Sequence, residues 1–335
     1  MKTAECVSPK HPDKMCDQIS DAILDYCLSK DKDARVAVET MGGHGKVYIT
    51  GEISANSGDI YSYDMYQDLI KIVKRIVMQE DIEIKINLIK QSSEIAHGVD
   101  AGGAGDQGIM VGYACNDNEE MIPQEMYLAR NLCKFIYSKY PYDGKTQITI
   151  NDDKEITTIV ASFQHVDSIT LEELCNKWKN NYRYNIENLK IYCNPAGNWS
   201  QGGFDADTGL TGRKLAIDNY GPQIPIGGGA FSGKDPSKVD RSGAYMARYI
   251  AVNLLKRYPD AKDCLVKMAY AIGIAEPVMI TSEMTFNGTE NKLVSQIVDG
   301  FDCTPNGIID FLDLKKPQFE EMAKWGHFGR DFIWN

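Results

Sequence analysis

Residues 12–27, PDKMCDQISDAILDYC, precede two apolar stretches, ARVAVET at 34–40 and KVYITGEIS at 46–54. Residues 12–27 predict an amphipathic helix, because their apolar residues recur on one helical face: Ile19, Ala22, Ile23, Tyr26 and Cys27. The other two stretches predict paired strands, because the glycine-rich residues 42–45 between them are typical of a turn. A helix followed by two strands is therefore the first structural unit that the chain predicts.

This order returns twice further along the chain. Leading helices are predicted to start near residues 14, 123 and 240, and strand pairs to follow them at 34–40 and 46–54, 146–151 and 156–165, and 263–273 and 278–286. Later helices are predicted at 69–77, 170–180 and 291–301, and closing strands at 82–88 and 189–194. The repeated α-β-β-α order predicts an α+β fold of three similar domains, each a sheet covered by helices on one face. The expected domains are 1–92, 101–200 and 201–335.

The composition is that of a globular chain with an acidic balance. Among 335 residues, Lys plus Arg number 36 and Asp plus Glu number 47, which gives a net charge of −11. This balance excludes a general nucleic-acid binder, because such proteins neutralise phosphates with Lys and Arg. The sequence has neither a run of about 18–20 apolar residues nor an apolar start, so we expect a cytoplasmic protein. Nine cysteines without a CxxC pair favour reduced thiols over disulfides or zinc.

Two glycine-rich segments carry charged residues and fall outside the repeat, 98–112 and 202–233. The stretch GGGAFSGKDPSKVDR at 227–241, which begins within the second segment, suits a polyphosphate, because cations neutralise it, backbone N–H groups approach it and a carboxylate holds Mg²⁺. A nucleotide-binding P-loop is disfavoured, because Asp235 stands where that motif has Ser or Thr. A solvated charged loop before a helix is the structural alternative.

Other candidates lie near the expected starts and ends of elements. His11-Pro12-Asp13-Lys14 opens the first helix, and it could serve either helix capping or binding of a leaving oxygen and a metal. The segment DTGLTGRK at 207–214 adds two cations after a glycine turn. Glu39 and Glu52 lie on the first strand pair, where a purely structural polar role is the simpler interpretation.

Taken together, these segments resemble the S-adenosylmethionine synthetase (methionine adenosyltransferase) family. The resemblance spans nearly the whole chain and rests on motifs in the family's order: HPDK (11–14), DQISDA (17–22), GAGDQG (103–108), TGRK (211–214), GGGAFSGKDPSKVDRS (227–242), YAIGIAEP (270–277) and GHFGR (326–330). It implies three similar α+β domains related by approximate threefold symmetry. It also implies synthesis of S-adenosylmethionine from ATP and L-methionine, with tripolyphosphate hydrolysed to phosphate and diphosphate.

The resemblance further implies a role for each candidate residue. Catalytic residues would be His11, Lys145, Arg213 and Lys234. ATP would be bound by His11, Asp143, Lys145, Asn198, Trp199, Asp207, Arg213, Lys214, Ala230 and Lys234. Methionine would be bound by Glu52, Gln91, Asp207 and Lys238. Two Mg²⁺ ions would be held by Asp13 and Asp240, and K⁺ by Glu39. Family members are homodimers or dimers of dimers, with active sites between subunits.

Some positions depart from the family pattern. Lys10 stands where the family usually has Gly, and Trp199 where bacterial relatives usually have Phe. Position 198 is Asn where Arg is common, the gating loop after Gln91 is short, and the chain ends soon after GHFGR. Because none of the phosphate cations or metal carboxylates is lost, we expect an active enzyme. The alternatives are a catalytically silent regulatory homologue that binds nucleotide, and a different ATP-dependent kinase or phosphatase.

Overall fold

The computed structural model of the chain describes residues 1–55, 61–91, 102–182, 189–286, 292–295 and 300–335. Its helices are α1 (Pro12–Lys30), α2 (Tyr63–Val77), α3 (Gln124–Tyr137), α4 (Ser168–Lys179), α5 (Leu215–Asp218), α6 (Val239–Arg257), α7 (Pro305–Phe311) and α8 (Phe319–Ala323). Its strands are β1 (Lys2–Val7), β2 (Arg35–Gly43), β3 (Lys46–Ser54), β4 (Glu83–Lys90), β5 (Gly108–Cys115), β6 (Gly144–Ile150), β7 (Ile156–Phe163), β8 (Lys190–Cys193), β9 (Gly209–Leu210), β10 (Ala261–Tyr270), β11 (Met279–Phe286) and β12 (Lys292–Ser295).

The strands form three four-stranded sheets with a repeated topology. Their strand orders are β4-β3-β2-β9, β1-β6-β7-β8 and β12-β11-β10-β5. An antiparallel hairpin lies at the centre of each sheet, formed by β2-β3, β6-β7 and β10-β11. The strand that follows each hairpin in the sequence pairs with the second strand of that hairpin: β4 with β3, β8 with β7, and β12 with β11. A strand from a distant part of the chain pairs with the first strand of each hairpin. The fold is therefore α+β with three similar units, as the sequence predicts.

The distant strands are exchanged in a cycle. Strand β1 completes the sheet of β6, β5 completes the sheet of β10, and β9 completes the sheet of β2. Each third of the chain thus supplies the edge strand of another third's sheet. The domain boundaries expected at 92, 101 and 200 stay a prediction, because each sheet joins strands from two parts of the chain.

Each sheet is packed against one long helix at an equivalent position. Helix α1 contacts β2 and β9, α3 contacts β6 and β1, and α6 contacts β10 and β5. On β2 the buried side chains alternate with exposed ones: Val36 and Val38 are buried, whereas Glu39 and Met41 are exposed. One face of this sheet therefore contributes to the core, and the other face remains accessible in the single chain.

Most predicted elements lie within a few residues of their expected positions, but the helix predicted at 291–301 is wrong. Residues 292–295 form β12, which pairs antiparallel with β11. Only five residues separate these two strands, so the connection suits an antiparallel hairpin and leaves no room for a crossover helix. Residues 296–299 of that predicted helix lie outside the described residues. Strands β1, β5 and β9 have no counterpart among the predicted elements.

No helix within the described ranges is long and apolar enough to cross a bilayer. All nine cysteines are free, and all except Cys193 are buried. Residues 92–101, which contain the predicted gating loop after Gln91 and the start of the first glycine-rich segment, lie outside the described part of the chain.

Candidate active site

Both cation-bearing glycine segments lie along one edge of β2. Strand β9 pairs there with Met41 and Gly42, and Lys234 forms a bridge with Ala37 further along the same strand. The Val38 N–H donates to the carbonyl of Gly233 at 2.9 Å. Segments that are distant in sequence are therefore brought to one strand edge by backbone pairing, which fixes their register.

The first cluster of candidate residues surrounds the start of α1. One carboxylate oxygen of Asp13 lies 2.5 Å from Lys214 Nζ, and the other lies 3.7 Å from Arg213 Nε. That second oxygen also accepts the Leu210 N–H at 2.9 Å. Gly209 is required at this contact, because a Cβ there would lie 2.2 Å from the Pro12 carbonyl. The predicted partners Asp13, Arg213 and Lys214 are thus brought together.

His11 caps α1 and is held in its neutral form. Its Nδ1 accepts the Asp13 N–H at 3.2 Å, so the neutral ring carries its proton on Nε2. Burial, followed by the charge of Lys214, lowers the pKa of His11 to about 4, against the opposing effect of Asp13. Lys145 lowers the same pKa further. At neutral pH His11 therefore offers an Nε2–H donor beside two cations.

The second cluster is formed by Lys234 and Asp240. Their side chains lie 2.5 Å apart, and the Gly229 N–H donates to the other carboxylate oxygen of Asp240 at 3.0 Å. A Cβ on Gly228 would lie 2.5 Å from Asp240 Oδ1, and one on Gly229 would lie 2.7 Å from Oδ2. The glycine run thus allows the backbone to approach the carboxylate closely, as the sequence predicts for a phosphate or metal site.

The two clusters adjoin through Gly212 and Ala230. A Cβ on Gly212 would lie 2.5 Å from the Ala230 side chain. Gly212 directly precedes Arg213, and Ala230 directly follows the glycine run that contacts Asp240. The predicted ATP residue Ala230 therefore lies at the junction of both cation segments.

Other cations of these segments are bound by carboxylates that the sequence analysis did not assign. Arg241 is fully buried and forms a bidentate pair with Asp21 at 2.7 and 2.8 Å. Lys14 is fully buried between Asp17 and Asp218. The spacing of four residues places Asp17 and Asp21 on one side of α1, but the sequence does not show that Lys14 and Arg241 are buried against them. Asp218, more than 200 residues away, carries no comparable signal.

Lys238, the predicted methionine ligand, contacts Asp235. The Lys238 ammonium contacts Asp235 Oδ2, which also accepts the Val36 N–H at 2.7 Å. Asp235 Oδ1 accepts the Ser237 N–H at 2.9 Å. Asp235 is 1% exposed, and Lys238, its other contacts and backbone hydrogen bonds hold its pKa below the usual value despite the opposing effect of burial. Lys238 is therefore anchored at the base of the loop in the free chain.

The predicted adenosine residues lie around a turn at Gly202-Gly203. Asp143 accepts the Gly203 N–H at 2.9 Å, and burial raises the pKa of Asp143 to about 6. Trp199 donates its Nε1–H to Asn194 at 3.2 Å. The amide oxygen of Asn198 accepts the Ser168 N–H at the start of α4. Asn198 thus anchors its own loop in the free chain.

Lys145 and Asp207 are the remaining candidates near His11. Lys145 lies 3.2 Å from Glu5 on the neighbouring strand β1. Asp207 is exposed and accepts the Thr208 N–H at 2.7 Å. Both charges act on the pKa of His11, Lys145 lowering it and Asp207 raising it. The structure therefore brings these residues to the side of the first cluster.

Glu39 and Glu52 lie on the accessible face of the sheet, which we call the open face. Register places Ile89, Glu52, Ala37 and Lys234 in one row across four adjacent segments. Glu39 is opposite Thr50 in the neighbouring row. Gln91 follows β4, and its N–H donates to Ser54 Oγ at 3.2 Å. The open face is thus continuous with the Lys234 segment.

The donors present suit Mg²⁺ bound mainly by a ligand. In the described ranges, no three His, Cys, Asp or Glu side chains form a group that could hold a metal. Asp13 and Asp240 instead present separate carboxylates, each balanced by a lysine. Mg²⁺ commonly binds one or two carboxylates plus substrate phosphates and water, so this donor set fits it.

Comparison with known proteins identifies the chain along its whole length. Models of the N-terminal, central and C-terminal domains of S-adenosylmethionine synthetase match residues 1–99, 101–199 and 201–335. The S-adenosylmethionine synthase of Pelagibacter ubique (strain HTCC1062) is 40% identical, over 98% of this chain and 92% of its own. That of Sulfurovum sp. (strain NBC37-1) is 40% identical, over 99% of this chain and 94% of its own.

A solved structure agrees with these matches. The structure of an unusual S-adenosylmethionine synthetase from Campylobacter jejuni superposes with a TM-score of 0.83 and 32% sequence identity, covering 99% of this chain and 96% of that one. Fold and sequence together define the chain as a transferase. It belongs to the S-adenosylmethionine synthetase family, the methionine adenosyltransferases.

Proposed function

We propose that the chain makes S-adenosylmethionine from ATP and L-methionine and hydrolyses the tripolyphosphate formed to phosphate and diphosphate. One observation carries the proposal: Arg213, Lys214 and Lys234 converge along one edge of β2, next to Asp13 and Asp240, and His11 Nδ1 lies 3.9 Å from Asp13. Such a concentration of donors on an acidic chain suits a polyphosphate, because the charge that binds it must be local.

The chemistry needs electrostatic stabilisation more than acid–base catalysis. The methionine sulfur is a neutral thioether, so it attacks the ribose C5′ without a general base. The C5′–O bond breaks, and negative charge grows on the leaving tripolyphosphate. Lys214, Arg213 and Lys234 would stabilise that charge, while neutral His11 would donate its Nε2–H to the leaving oxygen. Lys145 would contact the phosphate chain from the side of β6.

We assign the remaining ligand contacts from the family resemblance. The amino and carboxylate groups of methionine would be bound by Glu52, Asp207, Gln91 and Lys238. Lys238 must release Asp235 to reach the methionine. The adenosine would be bound by Asp143, Asn198, Trp199, Asp207 and Ala230. Alignment of sulfur, C5′ and leaving oxygen is the main task of these contacts.

We assign two Mg²⁺ ions to Asp13 and Asp240 and K⁺ to the single carboxylate of Glu39. Mg²⁺, when bound, supplies further charge neutralisation at the phosphates. Asp13 is suited to this role because neighbouring groups, led by its hydrogen bond from Lys214, hold its pKa below the usual value despite burial. The carboxylate therefore stays ionised at neutral pH.

We also propose that the protein is a cytoplasmic homodimer, or a dimer of such dimers, with its active sites between subunits. The open face supports this assembly, since Met41, Tyr48 and Ile89 are exposed there beside Glu39 and Glu52. Apolar residues on an accessible sheet face favour burial against a partner.

The direct test mixes the protein with ATP, L-methionine, Mg²⁺ and K⁺ and measures S-adenosylmethionine, phosphate and diphosphate. Lys234→Ala should lower kcat at least about 100-fold with the fold retained, because a cation beside the developing charge is lost. Lys256→Ala, an exposed lysine at the end of α6, should leave the rate unchanged.

Other outcomes would favour the alternatives. Nucleotide binding without S-adenosylmethionine would indicate a silent regulatory homologue. Phosphate release that is faster without methionine would indicate a kinase or phosphatase. Equal rates for Lys234→Ala and Lys256→Ala would remove Lys234 from the site.

A further inference from the structure

Four aspartates recur every fourth residue along α1, at Asp13, Asp17, Asp21 and Asp25. Because an α-helix has about 3.6 residues per turn, this spacing keeps all four on one side of the helix. We call this set the aspartate ladder. Asp13, Asp17 and Asp21 are at most 2% exposed.

Each member of the ladder accepts backbone N–H groups from the C-terminal third of the chain. Asp13 accepts from Leu210 at 2.9 Å, and Asp17 and Asp21 each accept from a glycine at 2.8 Å. Asp25 accepts three N–H groups at the start of α8, from Gln318, Phe319 and Glu320. The ladder therefore joins one helix to three distant stretches of backbone, at residues 210–212, 233 and 318–320.

The two middle contacts involve the residues directly before the phosphate cations. Asp17 accepts the N–H of Gly212, which precedes Arg213 and Lys214. Asp21 accepts the N–H of Gly233, which precedes Lys234. Both glycines have a positive φ, at 78° and 81°. Each contact thus fixes a left-handed turn from which a proposed catalytic cation projects.

The charges of these two aspartates are balanced by Lys14 and Arg241, which are not among the proposed phosphate cations. Asp17 binds Lys14 at 3.0 Å, and Asp21 binds Arg241 through both oxygens. Neither carboxylate therefore requires the phosphate cations as its partners. A buried carboxylate that is both paired and hydrogen-bonded has little freedom to move, so the backbone it holds is fixed as well.

We propose that Asp17 and Asp21 are positioning residues that hold the two cation-bearing loops against the edge of β2. They act through Gly212 and Gly233 and do not contact substrate. This inference rests on the proposed function for its catalytic consequence, but its structural part can be measured without turnover.

The primary test compares Asp17→Asn with Asp25→Asn. In Asp17→Asn the amide has one oxygen for two donors, Lys14 and the Gly212 N–H, and its NH₂ group must face one of them. Lys14 keeps Asp218 at 2.6 Å, so the fold has an alternative partner. Asp25→Asn makes the same chemical change on the same helix, but at the start of α8 instead of a cation loop.

Two readouts separate positioning from general stability. Asp17→Asn should speed amide hydrogen exchange in residues 208–214 and lower kcat/KM for ATP by roughly 10- to 100-fold, because small misplacements of catalytic groups carry costs of that size. Its midpoint of thermal unfolding should fall no more than that of Asp25→Asn. Asp25→Asn should leave both exchange at 208–214 and kcat/KM within about twofold of the wild type.

The second loop needs a paired variant, because Asp21→Asn alone would leave Arg241 buried without its carboxylate. Asp21→Asn combined with Arg241→Met removes both charges and also the Arg241 hydrogen bond to the Lys234 carbonyl, at 2.9 Å. The paired variant should therefore speed exchange at residues 230–236 more than Arg241→Met alone does. Unchanged exchange at 208–214 in Asp17→Asn, together with exchange at 230–236 that is no faster in the paired variant than in Arg241→Met, would overturn the proposal. So would an activity loss that parallels thermal stability in both Asp17→Asn and Asp25→Asn. Absence of adenosyltransferase activity in the wild type would contradict the proposed function, while the exchange data would still decide the positioning role.

Discussion

His11 shows how the surroundings of a single side chain define its chemistry. A free imidazole titrates near pH 6.5, whereas burial and Lys214 lower the pKa of His11 to about 4. The ring therefore stays neutral across physiological pH. Its Nδ1 is occupied by the Asp13 N–H, which leaves Nε2–H as the donor. The sequence motif identifies the residue, but only its contacts define the tautomer.

This lowered pKa predicts how stability responds to acid. Between about pH 6.5 and 4 the unfolded chain binds a proton on His11 that the folded chain does not, so the free energy of unfolding falls as the pH falls. Relative to His11→Asn, the wild type should lose at most about 3 kcal/mol between pH 7 and pH 4. Paired denaturant unfolding curves measure the difference, and a constant difference across this range would contradict it.

Helix α2 shows the effect of one contact at the scale of one element. The Lys10 ammonium donates a hydrogen bond to the Ile76 carbonyl at 2.7 Å. That carbonyl lies in the last turn of α2, where backbone oxygens lack partners within the helix. Burial lowers the pKa of Lys10, with smaller contributions from Arg75 and Lys324. Lys10 thus ties the end of α2 to the loop that presents His11.

Replacing Lys10 with Met should therefore weaken this junction. Lys10→Met keeps the aliphatic stem but removes the donor, and should lower the free energy of unfolding by about 1 kcal/mol. Lys71→Met, which removes an exposed lysine from the same helix, should change it by less than about 0.5 kcal/mol. Urea unfolding followed by circular dichroism measures both. Equal effects would indicate that the Lys10 contact does not contribute.

Elements whose hydrophobic pattern lies within one continuous stretch could be predicted from the sequence. Helix α1 and the hairpin β2-β3 are examples, because Val36 and Val38 alternate with accessible residues. Strand β9 has only two residues, and its pairing with Met41 and Gly42 depends on a partner about 170 positions away. Such pairings leave no periodic signal. β12 was missed because its apolar residues suit either a strand or a helix.

The residue types of the candidate site could be predicted from the sequence, but its charge balance could not. Glycine-rich charged motifs mark the cations that the structure brings near Asp13 and Asp240, and their roles stay a prediction. Arg241 looked available in the sequence, yet it is buried against Asp21. Buried pairing depends on tertiary contacts between residues 220 positions apart, and it therefore cannot be deduced from local composition.

On the scale of the whole molecule, the open face predicts self-association. Ile89 is 57% exposed and lies in the row with Glu52 and Lys234. Ile89→Glu should shift the protein from dimer to monomer and lower activity, because a carboxylate there would be buried without a partner. Ile169→Glu, at a 72% exposed isoleucine on α4, should change neither. Analytical ultracentrifugation measures both, and a dimer that survives Ile89→Glu would exclude this position from the interface.

The cyclic strand exchange predicts cooperative unfolding. Removing one unit would leave a neighbouring sheet without its edge strand, so the units should not melt separately. Calorimetry should show one transition, with equal calorimetric and van't Hoff enthalpies under reversible conditions. Two resolved transitions would show that the units are energetically independent.

The aspartate ladder has a consequence for synthesis on the ribosome. Asp13 cannot form its hydrogen bond before Leu210 has been translated. The contacts of Asp21 require Gly233 and Arg241, and those of Asp25 require residues near 319. Helix α1 therefore carries carboxylates whose partners are translated roughly 200 to 300 residues later. Until those partners are present, the helix holds carboxylates that cannot be desolvated at low cost, which delays burial of this helix.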